Sequence, residues 1–244
     1  MSFHALTFPD TESEKYHKTK YHYLLQIIFG ETISIDYCRI MATFAPNKKA
    51  SIFLLQQQAE EEDHLEMLTD YVEKHPRPQV PVSSYLKKID EIMSDAIKRR
   101  DYTDCVLIQN FIVEGLNISL LKELEHHTDG VLSELSTKIL RDEITHMEFG
   151  VQEMKRIFSE NASPFLIKKC IRLQRRILFY STGLAMTLAR EAKYLGIPMN
   201  EFASNVLSDH YTRISRANFP LPFIDRILFS GMILFLRYYV SFQK

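Results

Sequence analysis

The stretch "LRDEITHMEFG", residues 140–150, sets Glu143 and His146 three positions apart. In a helix, residues i and i+3 lie about 60° apart around the axis, so a carboxylate and an imidazole placed there aim at one spot. The pattern Glu-x-x-His occurs four times in the chain: Glu14/His17, Glu61/His64, Glu123/His126 and Glu143/His146. Their neighbours separate them. Glu143 and His146 extend the apolar line Leu132, Leu135, Ile139, and Glu61 and His64 share a line with Leu54, Leu65 and Leu68. The other two pairs lie in "TESEKYHKTK" and "KELEHHTD", polar all round, and read as solvated surface.

Repetition sharpens the distinction. Glu31 lies 30 residues before Glu61, and Glu114 lies 29 before Glu143. Each interrupts an apolar stripe, with Leu24, Ile27, Ile28, Ile35 and Cys38 in one case and Leu107, Phe111, Ile118 and Leu121 in the other. The chain thus carries one half twice: an apolar helix with a single Glu, a turn, then a helix with Glu-x-x-His. The Pro-rich segment "KHPRPQVPVSS" joins the halves. Packed antiparallel, they direct Glu31, Glu61, Glu114, Glu143, His64 and His146 into one bundle core. That is the arrangement of ferritin-like di-iron and di-manganese carboxylate proteins. Four carboxylates offset two divalent ions, and mixed oxygen and imidazole ligation suits iron or manganese. The alternative is a hydrogen-bonded polar core without metal, which would bury four carboxylates with no Lys or Arg on the same stripes.

Composition agrees with a globular helical chain. Hydrophobic residues make up 45% of the 244 residues, and there are only 7 glycines. The 30 basic and 31 acidic side chains nearly cancel, so no electrostatic case exists for a nucleic-acid partner. Cys38, Cys105 and Cys170 form no CxxC and read as buried free thiols. The N-terminus "MSFHALTFPDTESEKYHK" has no basic region followed by an apolar one, so a cytoplasmic location is expected. The longest apolar run, 227–236, is too short to span a bilayer; core packing is its expected use, with peripheral membrane contact as the alternative.

Prolines delimit helices at roughly 11–44, 48–74, 84–127, 130–159, 165–194, 200–215 and 222–241, with a break in the third near "KRRDYTD" and Gly130 suited to a left-handed cap. The expected architecture is all-α, a ferritin-like four-helix bundle with additional C-terminal helices. It forms a single domain over 1–244, with the metal-binding bundle at about 11–159 and the C-terminal helices at about 164–242. Gly30 and Gly115, beside Glu31 and Glu114, are candidates for close helix approach.

"CVLIQNFIVEGLNIS" (105–119) and "ILRDEITHMEFG" (139–150) resemble the corresponding helices of the cyanobacterial aldehyde deformylating oxygenases, once called aldehyde decarbonylases. "FGETI" around Glu31 and "AEEEDHLEML" around Glu61 and His64 fit that family's first two ligand helices. The similarity covers about residues 15–155; the C-terminal third matches in length and helicity. It implies a di-iron centre held by Glu31, Glu61, His64, Glu114, Glu143 and His146, which with O2 and external electrons converts a long-chain fatty aldehyde to an alkane or alkene plus formate. By the same resemblance Gln109 lies near the site, and Cys38 and Leu121 stand at substrate-facing positions where the family has tyrosines. Tyr37 is expected to point about 100° away.

Function expected from these readings is that of an O2-dependent oxidoreductase acting on an apolar small molecule held beside the metals. The C-terminal stretches "RRILFYSTGLAMTLAREA" and "FPLPFIDRILFSGMILFLRYYV" supply apolar surface for an access channel. Manganese is the alternative to iron at one or both positions. Electrons come from a ferredoxin or reductase, since no flavin or nicotinamide fingerprint is present. The same six ligands also serve a hydroxylase or N-oxygenase of another molecule, or a ferroxidase-type iron-binding protein.

Overall fold

The computed structural model describes residues 11–74, 80–128 and 130–241, which contain helices and no strand. Most of the N-terminal stretch read for a leader (1–10) and part of the Pro-rich crossover (75–79) lie outside them. The helices are α1 Thr11–Ala42, α2 Lys48–Glu73, α3 Ser84–Lys98, α4 Tyr102–Val106, a π-helical segment Leu107–Val113, α5 Glu114–His127, α6 Gly130–Glu160, α7 Pro164–Ala192, α8 Met199–Arg216 and α9 Phe223–Ser241. Side chains fix several starts. Asn47 accepts from the Ala50 N–H at 2.9 Å, and Ser163 caps α7 one residue ahead of Pro164. The break at "KRRDYTD" is a left-handed Arg100 (φ 52) followed by Asp101, whose carboxylate caps α4 through the Asp104 N–H. Gly130 instead opens α6. The left-handed glycine is Gly196 (φ 75), at the end of a 3-10 turn after α7.

α1 packs along α2, α5 along α6, and α6 also against the π-helical segment, giving the four-helix core. Each of its helices runs from one apolar cluster to another. Cys38, Leu54, Phe111 and Val151 belong to the first, and Leu24, Leu68, Leu121 and Ile139 to the second. Glu31, Glu61, His64, Glu114, Glu143 and His146 fall between these positions on their helices, so the polar groups form one layer walled by packed side chains on both sides. α6 meets the π-helical backbone closely at Gly150, where a Cβ would lie 2.6 Å from the Asn110 carbonyl oxygen. Close approach therefore falls to Gly150 rather than to the two glycines expected. Gly30 faces open space, and the room over Gly115 is filled by the Arg213 guanidinium.

The C-terminal helices build a flank. α7 packs on α3, α1 and the π-helical segment, α8 on α5, and α9 on α7 and α8. α9 buries Phe229 yet leaves Phe223, Ile224, Ile227, Leu228, Leu234 and Phe235 exposed, so core packing accounts for one side of it only. The stretch Tyr102–His127 is long and apolar enough to cross a bilayer by length and composition, and most of it is buried in the bundle.

Candidate metal centre

Four helices bring the six predicted residues together. All six are at most 2% exposed. Their donor atoms form two groups, Glu31, Glu61, His64 and Glu143, and Glu61, Glu114, Glu143 and His146, each with its atoms within 4.8 Å of one another. Glu61 and Glu143 belong to both. His64 Nδ1 lies 3.4 Å from Glu31 and 3.5 Å from Glu143, and His146 Nδ1 lies 3.4 Å from Glu143 and 3.5 Å from Glu61. Glu31 Oε2, His64 Nδ1 and Glu143 Oε1 are buried without a hydrogen-bond partner. Buried polar atoms left unpaired cost free energy, and three of them converging on one space fit a cation. The donor set of carboxylates and imidazoles is that of iron or manganese.

Electrostatics shows what the cluster does by itself. Burial, then the charge of Glu61, pushes the Glu31 carboxyl well above the usual range; burial and the charge of Glu143 do the same to Glu114. Burial pushes Glu143 up too, but the imidazoles of His146 and His64 outweigh it and hold its carboxyl low. Burial and Glu143 raise Glu61, and contacts with Glu31 and His64 more than reverse that. Burial lowers the imidazoles, yet Glu143 and Glu60 lift His146 to about 10, and Glu143, Glu31 and Glu61 lift His64 well above its ordinary value. Without metal, the raised imidazoles are opposed by the lowered Glu61 and Glu143 carboxyls, while Glu31 and Glu114 are pushed toward the protonated form.

Residues outside the repeated pattern orient these six. The outer nitrogen of each histidine meets a carboxylate from the opposite Glu-x-x-His helix: His64 Nε2 lies 3.2 Å from Asp142, and His146 Nε2 lies 2.8 Å from Glu60. Once the Nδ1 proton is lost, such a partner holds the Nε2–H tautomer and leaves the Nδ1 lone pair facing inward. Asp142 and Glu60 each directly precede a cluster glutamate, and that doublet of acids was the available signal in the sequence. The Gln57 amide donates to Glu61 (3.0 Å) and Glu114 (2.9 Å) and accepts from Asn110 (2.7 Å). Ser34 donates to Glu61 at 3.0 Å, and Gln109 donates to Ser34 and Glu114. Replacing Glu60 or Asp142 by Ala is expected to weaken metal binding about 10–100-fold with the fold retained, measured by competition with a chelating dye.

The π-helical segment explains Gln109. Five residues apart in a regular α-helix, Gln109 and Glu114 would point about 140° away from each other. The wider turn, closed by the Glu114 N–H on the Gln109 carbonyl, brings both side chains to one side, where they bond at 2.9 Å. A cavity of about 770 Å³, its mouth included, opens beside the cluster; Glu31, Glu61, Glu114 and Gln109 reach it, and its apolar side chains come mainly from α1, α3, the π-helical segment and α5. Cys38 and Leu121, expected to face substrate, do not line it. Cys38 is fully buried with its sulfur 3.9 Å from Ser34 Oγ, and Leu121 is packed in the second apolar cluster. Tyr37 does line it. The cavity lies on the α3 side of α1, so the 100° rotation that aims Tyr37 away from the bundle axis aims it there, with its hydroxyl bonded to Asp90 and Ser94. Of the pairs read as surface, Glu14 is exposed, but Glu123 is half-buried and borders a further apolar cavity.

No family model matches the chain, and no curated protein sequence matches it. In structure it matches 18 solved chains. One is a Synechococcus protein with aldehyde deformylating oxidase activity, with a TM-score of 0.75 over 91% of this chain and 99% of that one, at 13% identity. The chain therefore has the ferritin-like helical fold of an aldehyde deformylating oxidase, with a buried carboxylate and histidine cluster that can hold metal.

Proposed function

We propose that this chain is an O2-dependent non-haem di-iron oxygenase of an apolar small molecule, and that a long-chain fatty aldehyde, losing its carbonyl carbon as formate, is its substrate. The observation that carries this reading is the pair of four-donor groups sharing Glu61 and Glu143 beside an apolar cavity. Glu31, Glu61, Glu114, Glu143, His64 and His146 would hold two metal ions, iron or in its place manganese. When bound, ferrous ions supply the electrons that reduce O2.

The protein's own residues supply position. Glu60 and Asp142 hold the Nε2 protons, so that both Nδ1 atoms stay available to the layer. Gln57, Gln109 and Ser34 donate hydrogen bonds to Glu61 and Glu114 and fix their rotamers. Apolar walls from α1, α3, the π-helical segment and α5 hold a hydrocarbon chain against Glu31 and Glu114 and keep water out. Electrons would arrive from a ferredoxin or reductase in the cytoplasm, with the chain acting as one domain. The exposed apolar row of α9 is the surface through which peripheral membrane contact would occur.

The test is product analysis. Protein loaded anaerobically with Fe(II), then given long-chain aldehyde, reductant and O2, is expected to release formate and the matching alkane. His146→Ala, lacking an imidazole of the layer, is expected to release neither. O2 uptake without formate would discard the aldehyde in favour of hydroxylation or N-oxygenation of another molecule. Oxidation of Fe(II) with no organic product in any assay would mark a ferroxidase.

A further inference from the structure

We propose that Arg213 anchors a second ligand site that takes the carboxylate of a long-chain monocarboxylate, on the face of α5 carrying Gly115 and Leu116 rather than Glu114. Arg213, on α8, is 4% exposed, and its guanidinium lies against Gly115, where a Cβ would overlap it. Its Nε has no hydrogen-bond partner. Among the described residues its guanidinium makes one side-chain hydrogen bond, to Nδ1 of the buried His210 at 3.4 Å. Asp209, the acid whose charge reaches it, is turned to Lys122 at 3.7 Å. Burial lowers Arg213 only to about 10, so it remains a cation. His210 is its neutral neighbour, pushed down to about 3 by burial and then by the Arg213 charge, with the Gln174 amide 2.8 Å from Nε2. The result is a buried positive charge that no carboxylate among the described residues pairs, an arrangement that favours an incoming anion.

The space in front of this charge selects the rest of the ligand. Ile112, Leu178, Leu207, Phe229 and Met232 wall the cavity that Arg213 and His210 border, about 390 Å³ with its mouth. It shares Leu116, Leu178, Thr182, Val206 and Ile233 with an adjoining, almost wholly apolar cavity of about 740 Å³. A guanidinium receives a carboxylate through two parallel N–H···O bonds, and the adjoining walls receive hydrocarbon. A phosphate would bring about two charges to a single cation, so a carboxylate is the better match. The 740 Å³ cavity also shares Leu116, Leu120, Ser181 and Leu184 with the one at the metal layer. A ligand with its head at Arg213 would thus turn a chain carbon toward the layer, a consequence that rests on the proposed function, whereas binding at Arg213 does not.

Binding is tested on the full chain by calorimetric titration and thermal shift with dodecanoate, methyl dodecanoate and acetate. Dodecanoate is expected to bind and raise the melting temperature, the ester to bind at least about tenfold more weakly, and acetate to give no shift. Arg213→Gln should lose the acid's advantage, lowering dodecanoate affinity about tenfold or more while leaving the ester unchanged. Equal affinity for acid and ester in the wild-type chain overturns the proposal even if the variant fails to fold, as does unchanged dodecanoate binding in Arg213→Gln. An acetate shift matching that of dodecanoate overturns the role of the alkyl chain.

Discussion

Glu143→Ala is expected to empty both metal positions at once, and Glu61→Ala to do the same, whereas Glu31→Ala leaves one metal per chain. The asymmetry follows from membership. Glu61 and Glu143 contribute to both four-donor groups, while Glu31 and His64 belong to one and Glu114 and His146 to the other. A generic structural carboxylate would show no such division. The loss at a shared position should exceed the about 10–100-fold that removal of an outer hydrogen-bond partner costs, because a donor itself is gone. Iron per chain after anaerobic loading and desalting reads the result, with circular dichroism confirming that each variant keeps its helices. Equal iron content in Glu143→Ala and Glu31→Ala would contradict the shared-ligand arrangement.

Metal uptake should release protons, and affinity should climb steeply with pH. In the metal-free layer His146 is lifted to about 10 and His64 higher, so both imidazoles carry a proton at neutral pH. Glu31 and Glu114 are raised by burial and neighbouring charge and hold protons more tightly than ordinary carboxyls. Ligation requires neutral imidazoles and ionised carboxylates, so up to four protons leave as two divalent ions enter and the net charge of the layer is kept. The sign is fixed: raised values mean protons compete with metal, and the competition weakens as pH rises. Each proton released per metal multiplies the affinity by about ten for every pH unit. Titrations of metal into the protein in two buffers of different ionisation enthalpy count the protons. Release of none would mean that the layer is already deprotonated and held by other groups.

Glu61, His64, Glu143 and His146 could be read from the sequence because a polar pair recurring within an apolar stripe has no solvated explanation, and the repeat added Glu31 and Glu114. Their orienting partners could not be read in the same way. Gln57 and Ser34 are ordinary helical residues until the register between α1, α2 and α5 aims them at Glu61 and Glu114. Glu60 and Asp142 are half-exposed acids whose role exists only across two helices. The π-helical turn left no trace in "LIQNFIV", which has the composition of any buried helix, so Gln109 was reached only through family resemblance. Tyr37 and Cys38 exchanged places for a related reason. A helical projection ranks residues by distance from the bundle axis, and the cavity lies off that axis, against α3 and α7. Arg213 gave no signal either, since one arginine on an amphipathic helix is normally solvated; its burial follows from the glycine at 115.

The most direct measurement is anaerobic Fe(II) titration of the full chain, followed by metal analysis and Mössbauer and electron paramagnetic resonance spectra. Two irons per chain, magnetically coupled because Glu61 and Glu143 belong to both donor groups, is the predicted result. No bound iron, or a single iron with the spectrum of an isolated ion, would contradict it and leave the layer as a self-balanced polar core.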